Sequence, residues 1–145
     1  MNMVEVMIVI AMVGVITAVS IPMYSDYRYR SMVAQTISDI MGIGILVAQF
    51  QSDNGGQLPA SLADLGKNAL LDPWGNPYGY LNITKVIGKG KLRKNKNLVP
   101  INSDYDLYSM GKDGDSKGPL TAKASRDDIV RANNGRFVGL VSDYE

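Results

Sequence analysis

The sequence predicts an α+β chain: one long N-terminal helix, apolar in its first half and amphipathic in its second, packed on a small antiparallel sheet head with a loop-rich C-terminus. Three observations carry this. The stretch from Val6 to Ser25 holds no charge over 20 residues. Residues 26 to 51 then show apolar side chains at helical spacing. From Leu70 onward, short aromatic and β-branched runs alternate with glycine and proline turns. At 145 residues there is room for one folded unit beyond the apolar segment, so the chain divides into 1–25, a transmembrane or assembly half-helix, and 26–145, a globular head.

The uncharged run would measure roughly 30 Å as a helix, the thickness of a bilayer core. Its flank, Met1 to Glu5, lacks the basic residues of a secretory leader. A carboxylate at Glu5 is costly in hydrocarbon unless a positive charge pairs with it, so Glu5 is a candidate functional residue. Gly14 and Pro22 interrupt the run, and Pro22 removes a backbone donor, which predicts a kink or loosening there. Beyond Asp26, the apolar residues Val33, Ile37, Ile40 and Val47 continue one helical face. Asn54-Gly55-Gly56 and Pro59 stop the helix, and a short turn capped by Ser61 follows to Leu65.

Strands are predicted at 78–83 and 105–109, with a third at 136–141. Trp74 and Tyr78, in DPWGNPY, read as residues that pack a pair of turns. The stretch from Lys85 to Lys96 holds six of the 15 basic residues and no acid. It reads as a solvated hairpin loop, with a contact site for phosphate, acidic lipid or a neighbouring subunit as the alternative.

Composition excludes much chemistry. Without cysteine or histidine there is no disulfide, thiolate metal site, catalytic thiol or Ser-His-Asp triad. A net charge of +1 gives no global case for a nucleic-acid partner, and none is expected. The head shows no nucleophile beside a base and no phosphate-cradling loop, so a membrane-tethered enzyme is the least supported of the readings and the chain is read as a non-enzyme.

The segment VEVMIVIAMVGVITAVSIPMYSDYRYR resembles the N-terminus of type IV pilins and of the pseudopilins of type II secretion. LLDPWGNPYGY, YSMGKDG and RDDI resemble the major pseudopilin, and the missing cysteines set the chain apart from pilins that end in a disulfide loop. The resemblance spans residues 3–30, 70–82 and 104–129, and fades over 84–103 and 130–145. It implies the pilin fold and a structural subunit that polymerises into a helical filament. The first reading is the type II secretion pseudopilus, which drives export of folded proteins. The alternative is a surface fibre for adhesion, twitching or DNA uptake, with electron conduction along Tyr24, Tyr27, Tyr29 and Phe50 as a variant.

The resemblance also implies site residues. Met1 would be the first residue left by a prepilin peptidase, and methylated. Glu5 would meet the N-terminal amine of a neighbouring subunit and set axial register, while Gly14 and Pro22 bound a stretch that loses helical order in filaments. Calcium is the implied cofactor, held by Asp113 and by Asp127 or Asp128. Backbone carbonyls near Leu107 to Met110, with Asp115 and Ser116, are further candidate oxygens. Implied partners are copies of the chain, minor pseudopilins, and an inner-membrane assembly platform with its cytoplasmic ATPase. The implied location is the bacterial inner membrane as a single-pass subunit, then a periplasmic or cell-surface filament.

Overall fold

The computed structural model describes residues 2–144. Helix α1 is Met3–Asp53, and contacts divide the chain into two units, 1–32 and 33–145. Each has its own logic.

In the first unit the helix carries no charge from Val6 to Ser25, and its large apolar side chains are exposed, from Val4 and Met7 through Ile16, Ile21 and Tyr27. An 18-residue window here reaches a mean hydropathy of 2.5, long and apolar enough to cross a membrane. Helical order runs unbroken through Pro22 in the single chain. Proline's fixed φ suits a helix, but Pro22 removes one donor and crowds the Ala18 carbonyl. Within the uncharged run Thr17 returns its hydroxyl to the carbonyls of Val13 and Gly14 at 2.9 and 3.0 Å.

In the second unit, the helical residues Thr36, Ile40, Ile43 and Val47 are buried at spacings of four, three and four, with Val33 and Ile37 at the edge. Burial of Ile40, Ile43 and Val47 alone is worth several kcal/mol. They meet Leu62, Tyr78, Tyr105, Leu107 and Ile129 in the main core. The helix ends as predicted, with Gly55 and Gly56 at positive φ and Gly56 N donating to the Gln51 carbonyl at 2.7 Å. In the following turn the Asp64 carboxylate accepts from the amides of Ala60 and Ser61, the partner sequence inspection had not assigned to Ser61.

The sheet is an antiparallel meander, β1 Gly79–Asn82, β2 Tyr105–Ser109, β3 Ile129–Ala132 and β4 Phe137–Leu140, in that spatial order. Gly79 faces Tyr108 across β1 and β2, and a Cβ there would lie 2.3 Å from the tyrosine ring, so only glycine fits. Strand β3 was not foreseen. All four of its residues are buried, because one face meets the helix core and the other meets a second cluster of Ile101, Leu120, Val130, Ala132 and Val141.

The basic stretch is not a uniformly solvated hairpin. Lys94 N donates to Gly118 O at 3.1 Å and Leu120 N to Lys94 O at 2.8 Å, so the stretch runs beside residues 118–120. Arg93 is buried.

Candidate functional site

Glu5, Gly14 and Pro22, to which the resemblance gives an assembly role, lie in the first unit. Met1 lies outside the described residues. Glu5 Oε2 accepts from Asn2 N at 3.0 Å, a local cap on the helix start that places the carboxylate at the helix's positive end. No atom outside the helix backbone lies near a Cβ built on Gly14. The exposed apolar residues around Gly14 form a surface that water disfavours.

The second candidate is built on the sheet of the second unit. The turn DPWGNP is organised by Asp72, whose Oδ1 accepts from the amides of Trp74 and Asn76 at 3.0 and 2.9 Å. Its Oδ2 accepts from Ser109 Oγ at 2.6 Å, and Asn76 Nδ2 donates to Gly111 O at 3.2 Å. The turn is thereby tied to the loop after β2. Trp74 packs against the core and Tyr78 donates from its hydroxyl to Asp39 at 2.8 Å, the structural roles expected of them.

The loop 110–116 then folds against residues 127 and 128. Gly111 has φ 66, and a Cβ there would lie 2.2 Å from the Asp127 carbonyl oxygen, so glycine is required both by conformation and by space. This close approach brings oxygens of Asp113, Asp127 and Asp128 within 4.8 Å of one another. The three are graded in exposure: Asp113 is exposed, Asp127 half-buried and Asp128 fully buried.

Each carboxylate has one oxygen fixed by the protein. Asp113 Oδ1 accepts from Asp115 N at 2.9 Å and Asp127 Oδ2 from Asp113 N at 2.9 Å. Asp128 Oδ2 accepts from Arg93 Nη1 at 3.2 Å and from the Ser116 hydroxyl. The other oxygens of the second and third carboxylates, Asp127 Oδ1 and Asp128 Oδ1, are buried atoms with no hydrogen-bond partner among the described residues. Two buried carboxylate oxygens without donors are costly, and a cation is the simplest group that would satisfy both. Burial pushes the Asp128 carboxyl up to about 6 and Asp127 adds to the rise, against the opposing pull of Ser116 and Arg93.

Among the further candidate oxygens, Ser116 bonds Arg93 and Asp128. The Asp115 carboxylate lies 3.8 Å from Lys117, both exposed. Leu107 sits within β2 opposite Tyr80 with its side chain in the core, and Met110 follows that strand. Sequence reasoning missed Asp72 and Arg93. Asp72 opens a proline turn, where a side-chain acceptor is the usual organiser. Arg93 is the sole arginine among the five lysines of the basic stretch, and arginine suits a buried, stacked pair better than lysine does.

No protein-family model matches the chain, and no solved structure does. Curated relatives are of two kinds. The type IV major fimbrial protein FimA of Dichelobacter nodosus is 30% identical over 146 residues, covering 94% of this chain and 83% of the relative. The fimbrial protein of Neisseria meningitidis serogroup A is 26% identical over 92% of this chain and 78% of the relative. The type II secretion system core protein G of Pseudomonas aeruginosa is 24% identical over 81% of this chain and 85% of the relative.

Proposed function

Because this chain belongs to the type IV pilin-like family, we propose that it is a filament subunit whose head is stapled by calcium, and that the filament is the type II secretion pseudopilus. The carrying observation is the pair of unpartnered oxygens, Asp127 Oδ1 and Asp128 Oδ1, beside Asp113 in a chain without cysteine. A loop-rich C-terminus lacking a disulfide needs another cross-link, and oxygen-bound calcium is one. Asp113, Asp127 and Asp128 would hold it. The ion would supply positive charge to three converging carboxylates and so clamp the loop 110–116 onto β3.

Assembly follows from the first unit. The subunit waits in the inner membrane with residues 6–25 in lipid, then exchanges lipid for a bundle of like helices, at little hydrophobic cost. Glu5 would pair with the N-terminal amine of a neighbouring copy. A subunit out of register would leave both charges unpaired in an apolar core. Prepilin peptidase processing, methylation at Met1, minor pseudopilins and an ATPase-driven platform complete this reading. The long identity to fimbrial proteins favours a surface fibre as the second reading.

The test is thermal unfolding of the full chain in detergent micelles, with calcium and with a chelator, on wild type and Asp113→Ala. Calcium at 100 times its Kd is expected to add about 2.7 kcal/mol, lost in the variant. No calcium effect in wild type would remove the staple. Deleting the gene in its host then separates the two filaments: exoproteins trapped in the periplasm support the pseudopilus, and loss of surface fibres with secretion intact supports the pilus.

A further inference from the structure

The three carboxylates do not stand alone, because a fourth charged group is built into the same cluster from a segment distant in sequence. Arg93 lies in the basic stretch, yet it is buried, its guanidinium 3.6 Å from the centre of the Tyr108 ring. Nη1 donates to Asp128 Oδ2 at 3.2 Å and Nη2 to Ser116 Oγ. A planar guanidinium held by stacking and two bonds cannot swing away as an exposed lysine can. It is a fixed charge.

Arg93 occupies Asp128 Oδ2 and leaves Asp128 Oδ1 unpartnered. It therefore neutralises part of the cluster without filling the place where the open oxygens converge. Asp113, Asp127 and Asp128 bring three negative charges and Arg93 returns one positive, leaving a charge of two that one divalent ion cancels. One further buried carboxylate, Asp106, also feels the Arg93 charge and accepts from its backbone amide at 3.4 Å, so the balance of two counts the converging carboxylates and Arg93 alone. Asp115 is paired with Lys117, while Lys112 and Arg126 are exposed and screened by salt.

We infer that Arg93 is a charge-setting residue of this site, which lowers the cluster's net negative charge and so narrows its electrostatic preference for a trivalent over a divalent cation. The inference rests on the cation reading given above and adds a residue that touches no ion. Arg93 acts through Asp128, so it is a positioning residue, and its signature is ion valence rather than stability.

The test is calorimetric titration of the full chain in detergent micelles with calcium chloride and with terbium chloride. In wild type the ratio of terbium to calcium affinity sets the baseline. Arg93→Gln removes the charge and is expected to raise that ratio by roughly tenfold or more, since the added attraction scales with ion charge. Arg93→Lys keeps the charge and is expected to stay within about threefold of wild type. Arg93→Met also removes the charge, keeps an apolar stem against Tyr108 and leaves every candidate ligand in place, and is expected to shift the ratio as Arg93→Gln does, which covers failure of the glutamine variant to fold. Equal losses of both affinities, with the ratio unchanged in Arg93→Gln and Arg93→Met, would make Arg93 merely structural and overturn the inference. Binding of neither ion by wild type would overturn the cation reading itself, and this one with it.

Discussion

Two arginine–aspartate pairs on the same sheet show how similar parts reach opposite ends. Arg131 donates to both oxygens of Asp104 at 2.8 Å, to the Tyr105 carbonyl at 3.1 Å, and stacks over the Tyr105 ring at 3.9 Å. Arg93 likewise stacks on Tyr108 and bonds Asp128. In the first pair one aspartate faces a fork that uses both its oxygens. In the second, three aspartates face one guanidinium, and two buried oxygens are left over. The electrostatics follow the geometry. Burial alone would raise Asp104, yet its bonds to Arg131 and to the Tyr105 amide hold it below the usual carboxylate value, whereas Asp128 is pushed up. A closed pair is a structural staple; an open one leaves buried oxygens that the proposed cation would satisfy.

The sharpest way to break this contrast is to delete the buried acid. Asp128→Ala leaves the Arg93 guanidinium buried without its carboxylate, and should cost about 3–5 kcal/mol. Denaturant unfolding of the full chain in micelles measures it. The loss should be larger in calcium than in chelator, because the variant forfeits the ion as well. A loss below about 1 kcal/mol in both conditions would mean that the Arg93 station contributes no more than a surface pair.

The next effect is a pH dependence of opposite sign at the two stations. Asp128 is raised from an ordinary 3.8 to about 6, so its folded form favours the proton. In chelator its contribution is present below about pH 4 and is lost as pH rises to about 6, worth about 3 kcal/mol. Asp104 is depressed, so its contribution is present above its ordinary value and is lost as pH falls through its lower folded value. Unfolding midpoints of chelated wild type between pH 4 and 7 should therefore fall with rising pH, and Asp128→Asn should flatten the curve. In calcium the slope should reverse, since protons then compete with the ion for Asp128.

The contrast also marks what was legible in the sequence. The helix, β2 and β4 announce themselves through periodicity and turn signals, and the stop at Asn54-Gly55-Gly56 is local chemistry. Strand β3 was hidden because Ile129, Val130, Arg131 and Ala132 are covered on both faces, so the alternation that marks a half-buried strand is missing. Asp113, Asp127 and Asp128 were named through family likeness; no spacing rule joins residues 14 and 15 positions apart. What brings them together is the fit of Gly111 against Asp127, a tertiary fact. Arg93 was read as one more solvated cation because its partners lie 23 and 35 residues away, beyond the reach of any local pattern.

A third pair sets the lower bound of the comparison. Lys117 Nζ lies 3.8 Å from Asp115 Oδ1 with both side chains more than half exposed, so solvent screens the attraction and long-chain entropy opposes it. Lys117→Ala should change stability by less than about 0.5 kcal/mol. Asp104→Asn, which weakens a bidentate but partly exposed carboxylate, should cost about 1 kcal/mol and be indifferent to calcium. If Asp104→Asn instead became calcium-dependent, the Arg131 pair would be coupled to the carboxylate cluster through β3, which carries Arg131 three residues after Asp128. The two stations would then be one network rather than a staple beside a site. Unfolding of both variants, with and without calcium, decides between these arrangements.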